Sequence, residues 1–173
     1  AIINAIFQRA GQTCSAGSRL LVQESLYDKF IPMLAERFSE LQAGAALMDL
    51  DLGPLISDRQ RTRVQDYLDE AESDGVPVIA RGLVVDAAPK TGYSLAPVML
   101  GPVPRANRVA SEEIFGPVLS VMPFEDEADV IRLANSTVYG LTAGVWTKDG
   151  GRQMRVAKAL KCDYYFARLD SCW

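Results

Sequence analysis

The opening AIINAIFQRA is apolar with Asn4, Gln8 and Arg9 interspersed, a pattern that predicts a short amphipathic core helix ending near Gly11. A loop, GQTCSAG, follows, and the apolar run SRLLVQ after it reads as a buried strand. Residues 25–41 predict a helix with Ser25 as its N-cap and Leu26, Phe30, Met33, Leu34, Phe38 and Leu41 on its apolar face. Gly44 lies just past its end, and the Gly53-Pro54 pair makes residues 49–57 a loop. A second helix starts at Ser57 and runs to Gly75, with Val64, Tyr67, Leu68 and Ala71 facing inward and many charges outward. Residues 76–80 predict a short strand, 86–92 turns, and 95–100 an apolar segment broken by Gly101-Pro102-Val103-Pro104. Beyond Ser111 the periods alternate cleanly: strand over 116–124, helix over 125–135, strand over 140–147, helix over 151–160. Such alternation predicts an α/β fold built from right-handed crossovers, with a mainly parallel sheet and flanking helices. No internal repeat and no long linker interrupts it, so residues 1–173 read as one domain.

Composition changes this picture mostly by exclusion. The chain is 49% hydrophobic and 23% charged with a net charge of −4, as in a globular protein with a substantial core. No Lys/Arg-rich stretch stands out, which argues against nucleic acid or an anionic membrane as partner. The amphipathic opening lacks the basic flank of a signal peptide, and no run reaches the roughly 18 apolar residues of a spanning helix. Ala1 stands first in place of Met, the expectation being a chain that begins within a longer polypeptide or after processing. Cys14, Cys162 and Cys172 are odd in number and far apart, which suits a reducing, cytoplasmic setting better than a disulfide framework. Histidine is absent. That removes a Ser-His-Asp triad, a Cys-His pair and any His-ligated metal from this chain, and no metal is expected. Neither G-x-G-x-x-G nor G-x-x-x-x-G-K-[ST] occurs, so a bound nucleotide's phosphates would be held elsewhere.

Two segments could carry chemistry. Cys14 follows a helix and sits between Gly11 and Gly17, glycines that let backbone N–H groups approach a bound oxyanion. Its thiolate could attack a carbonyl; the alternative is a buried structural cysteine. The second segment is Ser111-Glu112-Glu113-Ile114-Phe115-Gly116-Pro117-Val118, where two carboxylates precede an aromatic and a Gly-Pro break. A carboxylate there could hold a sugar hydroxyl; the alternative is a solvated acidic turn before a strand.

Together these motifs resemble the aldehyde dehydrogenase superfamily. GQTCSAGSRLLV matches the G-Q-x-C-x-x-G-x-R pattern around that family's nucleophile. SEEIFGPVLSVMPFEDEADVIRLANSTVYGLTAGVWTKD is similar to its E-x-F-G-P-V segment and the elements after it, and the likeness covers about residues 1–160. The resemblance implies an aldehyde dehydrogenase-like catalytic domain. Cys14 would be the nucleophile, its own N–H one oxyanion donor, Glu113 the carboxylate on the nicotinamide-side ribose, and Phe115 the aromatic beside the ring. Arg19 also fits the pattern, with packing or a salt bridge as its other reading. The implied reaction oxidises a small-molecule aldehyde to a carboxylic acid with NAD or NADP and needs no metal. The family's general-base glutamate, its oxyanion asparagine and its dinucleotide-binding domain lie upstream of the nucleophile, outside this chain. The tail CDYYFARLDSCW departs from the family, and Cys162 and Cys172 read as structural or accidental. The expectations are therefore a truncated catalytic domain, weak or absent cofactor binding, little turnover alone, and homo-oligomerisation or other self-association. The alternatives are an acylating or phosphate-reducing relative, or a non-catalytic remnant that binds a partner. Thr13 and Ser15, small and polar, give no direction on which aldehyde is used, and NAD against NADP is decided upstream.

Overall fold

A computed structural model describes residues 2–168, with side chains through Tyr164. The chain forms two compact units, Ala1–Pro123 and Phe124–Trp173, where the sequence pattern placed no division.

In the first unit, α1 (Ile2–Phe7) buries Ile6 and Phe7 and gives way to a 3-10 segment, Gln8–Gly11. The predicted helix is thus shorter than its apolar pattern: Arg9 and Ala10 turn to positive φ, which few non-glycine residues adopt. Strand β1 (Arg19–Gln23) leads directly into α2 (Glu24–Ser39). Ser25 lies inside α2 and does not cap it; Gln23 flanks the start and makes no side-chain cap bond. Ile31, Leu34 and Phe38 face inward, with the Phe38 ring edge-on to Phe7 at 5.2 Å. Leu26 and Met33, expected on that face, are exposed. At 100° per residue they sit roughly 80° and 100° around the helix from Leu34, on its flanks.

Strand β2 (Gln42–Ala43) and a loop precede α3 (Asp58–Ser73). Here period and cap act as the sequence predicts. Ser57 accepts a bond from the Gln60 N–H at 3.2 Å, and Val64, Tyr67, Leu68 and Ala71 are buried. Then come β3 (Val78–Arg81), β4 (Leu83–Val84), β5 (Val98–Leu100), the short α4 (Arg108–Ser111) and β6 (Val118–Phe124). The main sheet has the order β1-β6-β5-β3, with β5 and β6 parallel and β3 antiparallel to β5; β2 and β4 form a separate parallel pair. Val98, Met99 and Leu100 are all buried, as are Val118, Leu119, Val121 and Met122, the continuous apolar burial of a sheet covered on both faces.

In the second unit, α5 (Glu127–Ala134) and α6 (Gly150–Ala159) start at Asp126 and Asp149, whose carboxylates accept N–H bonds from Asp129 and Arg152. Between them lies β7 (Thr142–Trp146), paired in parallel with β8 (Tyr164–Arg168). The strand β8 falls within the tail CDYYFARLDSCW. Asn135 bridges the ends of two elements, donating to the Ala159 carbonyl and accepting from Lys161 N–H, each at 2.8 Å. The architecture is α/β with mostly parallel strand pairs and flanking helices. Among the described residues no helix is long and apolar enough to cross a membrane.

Candidate active site

The two chemistry-bearing loops, a hundred residues apart in sequence, meet at two glycines. A Cβ on Gly11, whose φ is 76°, would overlap the Gly116 carbonyl; one on Gly116 would overlap the Val64 side chain of α3. Only bare backbone permits this approach. It stacks the entrance of the Cys14 loop on the exit of the Glu112–Glu113 loop, and that exit on α3.

Cys14 occupies the tip of a tight turn closed by the Ala16 N–H to the Thr13 carbonyl at 3.0 Å. The turn is tied at its exit by the Gly17 N–H to the Ala5 carbonyl at 2.9 Å. Cys14 is exposed, so the reading as a buried structural cysteine does not hold. Among the described residues its backbone N–H donates to no protein acceptor, which leaves it available to an oxyanion. Thr13 and Ser15 engage each other, their hydroxyl oxygens 3.3 Å apart.

The neighbouring carboxylates Glu112 and Glu113 divide sharply. Glu112 accepts from the Tyr67 hydroxyl at 2.8 Å and from Arg108 through Nε at 2.9 Å and Nη2 at 3.0 Å. Arg108 also pairs with Glu70 of α3 and lies over the Tyr67 ring, 4.7 Å from its centroid. The Arg108 bonds, then the Tyr67 hydroxyl, hold the Glu112 carboxyl down at about 2. Burial first, and the bond to Glu112 second, push the Tyr67 hydroxyl up. The Glu113 carboxylate is exposed and, among the described residues, has no hydrogen-bond or ion-pair partner, whereas its backbone carbonyl accepts from Arg63 at 2.9 Å. Phe115 is half-buried at a φ of 60°, and its carbonyl accepts from Gln60 Nε2 at 2.8 Å. A bulky residue at positive φ is strained and needs such holding.

Gln60, Arg63 and Arg108 were not singled out from the sequence, Gln12 entered only as part of the G-Q-x-C pattern, and Tyr67 only as an inward-facing position of α3. The α3 members sit at Gln60, Arg63 and Tyr67, a helical spacing that could have marked a second, polar working face. The burial of Arg19 depresses its guanidinium pKa, in keeping with a packing role. Cys162 lies in the second unit, half-buried, its thiol pushed up by burial and then by Asp163. Cys172 lies outside the described residues.

Comparison with known proteins bears on what these loops do. Residues 1–166 match the aldehyde dehydrogenase family, which carries the likeness five residues into the tail. The chain is 40% identical over 157 residues to an aldehyde dehydrogenase of Emericella nidulans, covering 90% of the chain and 31% of that protein. A Burkholderia cenocepacia crystal structure assigned to the aldehyde dehydrogenases superposes with a TM-score of 0.95 at 48% identity, covering 96% of this chain and 35% of that one. Betaine aldehyde dehydrogenase from Staphylococcus aureus, solved in complex with NAD+, gives 0.89 at 36% identity over 99% of this chain and 34% of its own. The chain thus spans about a third of the length of the relatives it matches.

Proposed function

Since the chain belongs to the aldehyde dehydrogenase family, we propose that it supplies the nucleophile and the cofactor-ribose contact of an NAD(P)+-dependent oxidation of an aldehyde to a carboxylic acid. The observation that carries this reading is the split between the carboxylates. Glu112 is consumed by Arg108 and Tyr67, and Glu113 is left exposed and, among the described residues, without a partner on a loop stacked against the entrance to the Cys14 turn. An unpartnered carboxylate on a held backbone suits a ribose diol, whose two hydroxyls both donate. Phe115, two residues on, would lie beside the nicotinamide.

Cys14 as thiolate adds through sulfur to the aldehyde carbon, and the C=O electron pair moves onto oxygen. The Cys14 N–H stabilises that oxyanion. A bound dinucleotide would supply the acceptor for the hydride that leaves the former aldehyde carbon, and the oxygen pair then re-forms the carbonyl as a thioester on Cys14. Water then cleaves the C–S bond, releasing the acid and the thiol. That last step calls for a general base, and losing one lowers rates by about 10²–10⁴. We therefore expect these 173 residues alone to bind NAD(P)+ weakly and turn over little. Val138, Tyr139, Trp146 and Tyr164 are apolar side chains exposed in the second unit, and homo-oligomerisation or self-association in a reducing cytoplasm would cover them.

The test is coupled NAD(P)H formation from aldehydes by the polypeptide that carries this segment. Cys14→Ser should lower kcat by at least about 10³-fold, since the nucleophile acts only in the chemical step. Retention of most of the rate in a folded Cys14→Ser protein would remove Cys14 from the mechanism.

A further inference from the structure

The Cys14 turn is entered through an awkward passage. Arg9, Ala10 and Gly11 take φ values of 50°, 54° and 76° in succession, and two of the three carry a Cβ. Gln12 is the next residue, and its side chain reaches in two directions. Its Nε2 donates to the Arg9 carbonyl at 3.1 Å, the same oxygen that its backbone N–H uses at 3.1 Å. Its Oε1 accepts from the Ile56 N–H at 2.9 Å, forty-four residues away. By contrast, Thr13 and Ser15 bond only within the turn. Among the described residues 12–16, Gln12 alone has a side-chain hydrogen bond that ties the turn to another part of the unit.

Ile56 immediately precedes Ser57, the residue that caps α3. The first turns of α3 carry Gln60 and Arg63, which hold the Phe115 and Glu113 carbonyls. One hydrogen bond therefore joins the turn bearing Cys14 to the helix that grips the Glu113 loop. We propose that Gln12 is a positioning residue, which sets the Cys14 turn in register with α3 and, through Gln60 and Arg63, with Glu113 and Phe115. The proposal rests on the reading of Cys14 as nucleophile and Glu113 as ribose contact given above. Gln12 touches no reacting atom on this account; it acts through the backbone on either side of the bond.

The chain itself suffices for the test, because iodoacetamide reports Cys14 with Cys162 as internal reference, and hydrogen exchange reports the amides. In the unaltered chain Cys14 is expected to alkylate at least several-fold faster than Cys162, with a protected Ile56 amide. Gln12→Met, similar in shape but without the acceptor, should bring Cys14 close to the Cys162 rate. It should also raise exchange at Ile56 and across residues 113–116, with little change in the Cys162 rate. Gln12→Glu keeps an acceptor for Ile56 and should restore the amide protection and recover part of the lead of Cys14. Ile56→Pro removes the N–H from the other side and should reproduce the effect of Gln12→Met. Equal alkylation of Cys14 and Cys162 in the unaltered chain would overturn the nucleophile reading and this proposal with it. A fast Cys14 that stays fast in Gln12→Met and Ile56→Pro would overturn the positioning role alone. Loss of the fold in both variants, with Gln12→Glu no better, would make the bond purely structural and likewise overturn it.

Discussion

The two loops of the candidate site are held in opposite ways. The Glu113 loop is gripped from outside: Arg63 and Gln60 bind its carbonyls, while Arg108 and Tyr67 lock the preceding Glu112. Among the described residues, the Cys14 turn is tied to the rest of the unit by hydrogen bonds at its ends, from Gln12 at the entrance and Gly17 at the exit. The difference suits the two tasks proposed for these loops. A ribose carboxylate would have to stand still to bind the same sugar every time, whereas a nucleophile would have to be reached by aldehydes and carry an acyl group away from its starting geometry. Glu112 and Glu113 repeat the contrast within two residues: one side chain serves the fold, and its neighbour has no partner among the described residues.

The largest effect should come from the joint that both loops share. Gly11→Ala adds a methyl against the Gly116 carbonyl at a φ of 76°. Strain and overpacking together should cost roughly 2–5 kcal/mol, read as a lower urea midpoint at unchanged slope. A near-neutral Gly11→Ala would show that the loops are not in close contact.

Next in size is the pair of carboxylate exchanges. Glu113→Gln should weaken NAD(P)+ binding by the polypeptide that carries this segment by about 10–100-fold, the worth of a hydrogen bond to a charged group. Its thermal midpoint should not move. Glu112→Gln should do the reverse, lowering stability first. If both variants lose cofactor equally at equal stability, the division of labour drawn here is wrong.

Tyr67→Phe removes one hydroxyl from the Glu112 clamp and should destabilise by about 1 kcal/mol, with calorimetry as the check. The smallest effect is in acid. The Glu112 carboxyl is held well below its ordinary value of 4.5, at about 2. A depressed carboxyl stabilises the fold above its unfolded value and loses that contribution as pH falls through the folded one. Stability should therefore decline between about pH 4.5 and 2, and Glu112→Gln should flatten that segment of the curve. The site is partly exposed, so solvent keeps the slope shallow.

How much of this was legible in the sequence depended on whether local rules decided the outcome. For α3 they did: the apolar period picked out Val64, Tyr67, Leu68 and Ala71, and Ser57 caps the helix as its residue type suggests. For α2 the apolar residues outnumber the places on one face, so Leu26 and Met33 were drawn in and stand exposed. The left-handed Arg9 and Ala10 were out of reach, because no local preference favours them; tertiary contacts at Gly11 and Gln12 hold them there. The tail hid β8 because its pairing with β7 is set by a neighbouring strand, which a local pattern does not report. At the site, the motifs exposed Cys14, Glu113 and Phe115 as candidates. The side chains that hold the loop of Glu113 and Phe115 come from α3 and α4, where spacing alone does not say which polar residue faces another loop.

The most direct test of the central claim is to trap the acyl group. The polypeptide that carries this segment is mixed with an aldehyde it oxidises and NAD(P)+, quenched in acid during turnover, digested and mapped by mass spectrometry. The account predicts an acyl adduct on the peptide containing Cys14, lost in Cys14→Ser. Turnover with the acyl group on Cys162, on Cys172 or on a residue other than cysteine would contradict it.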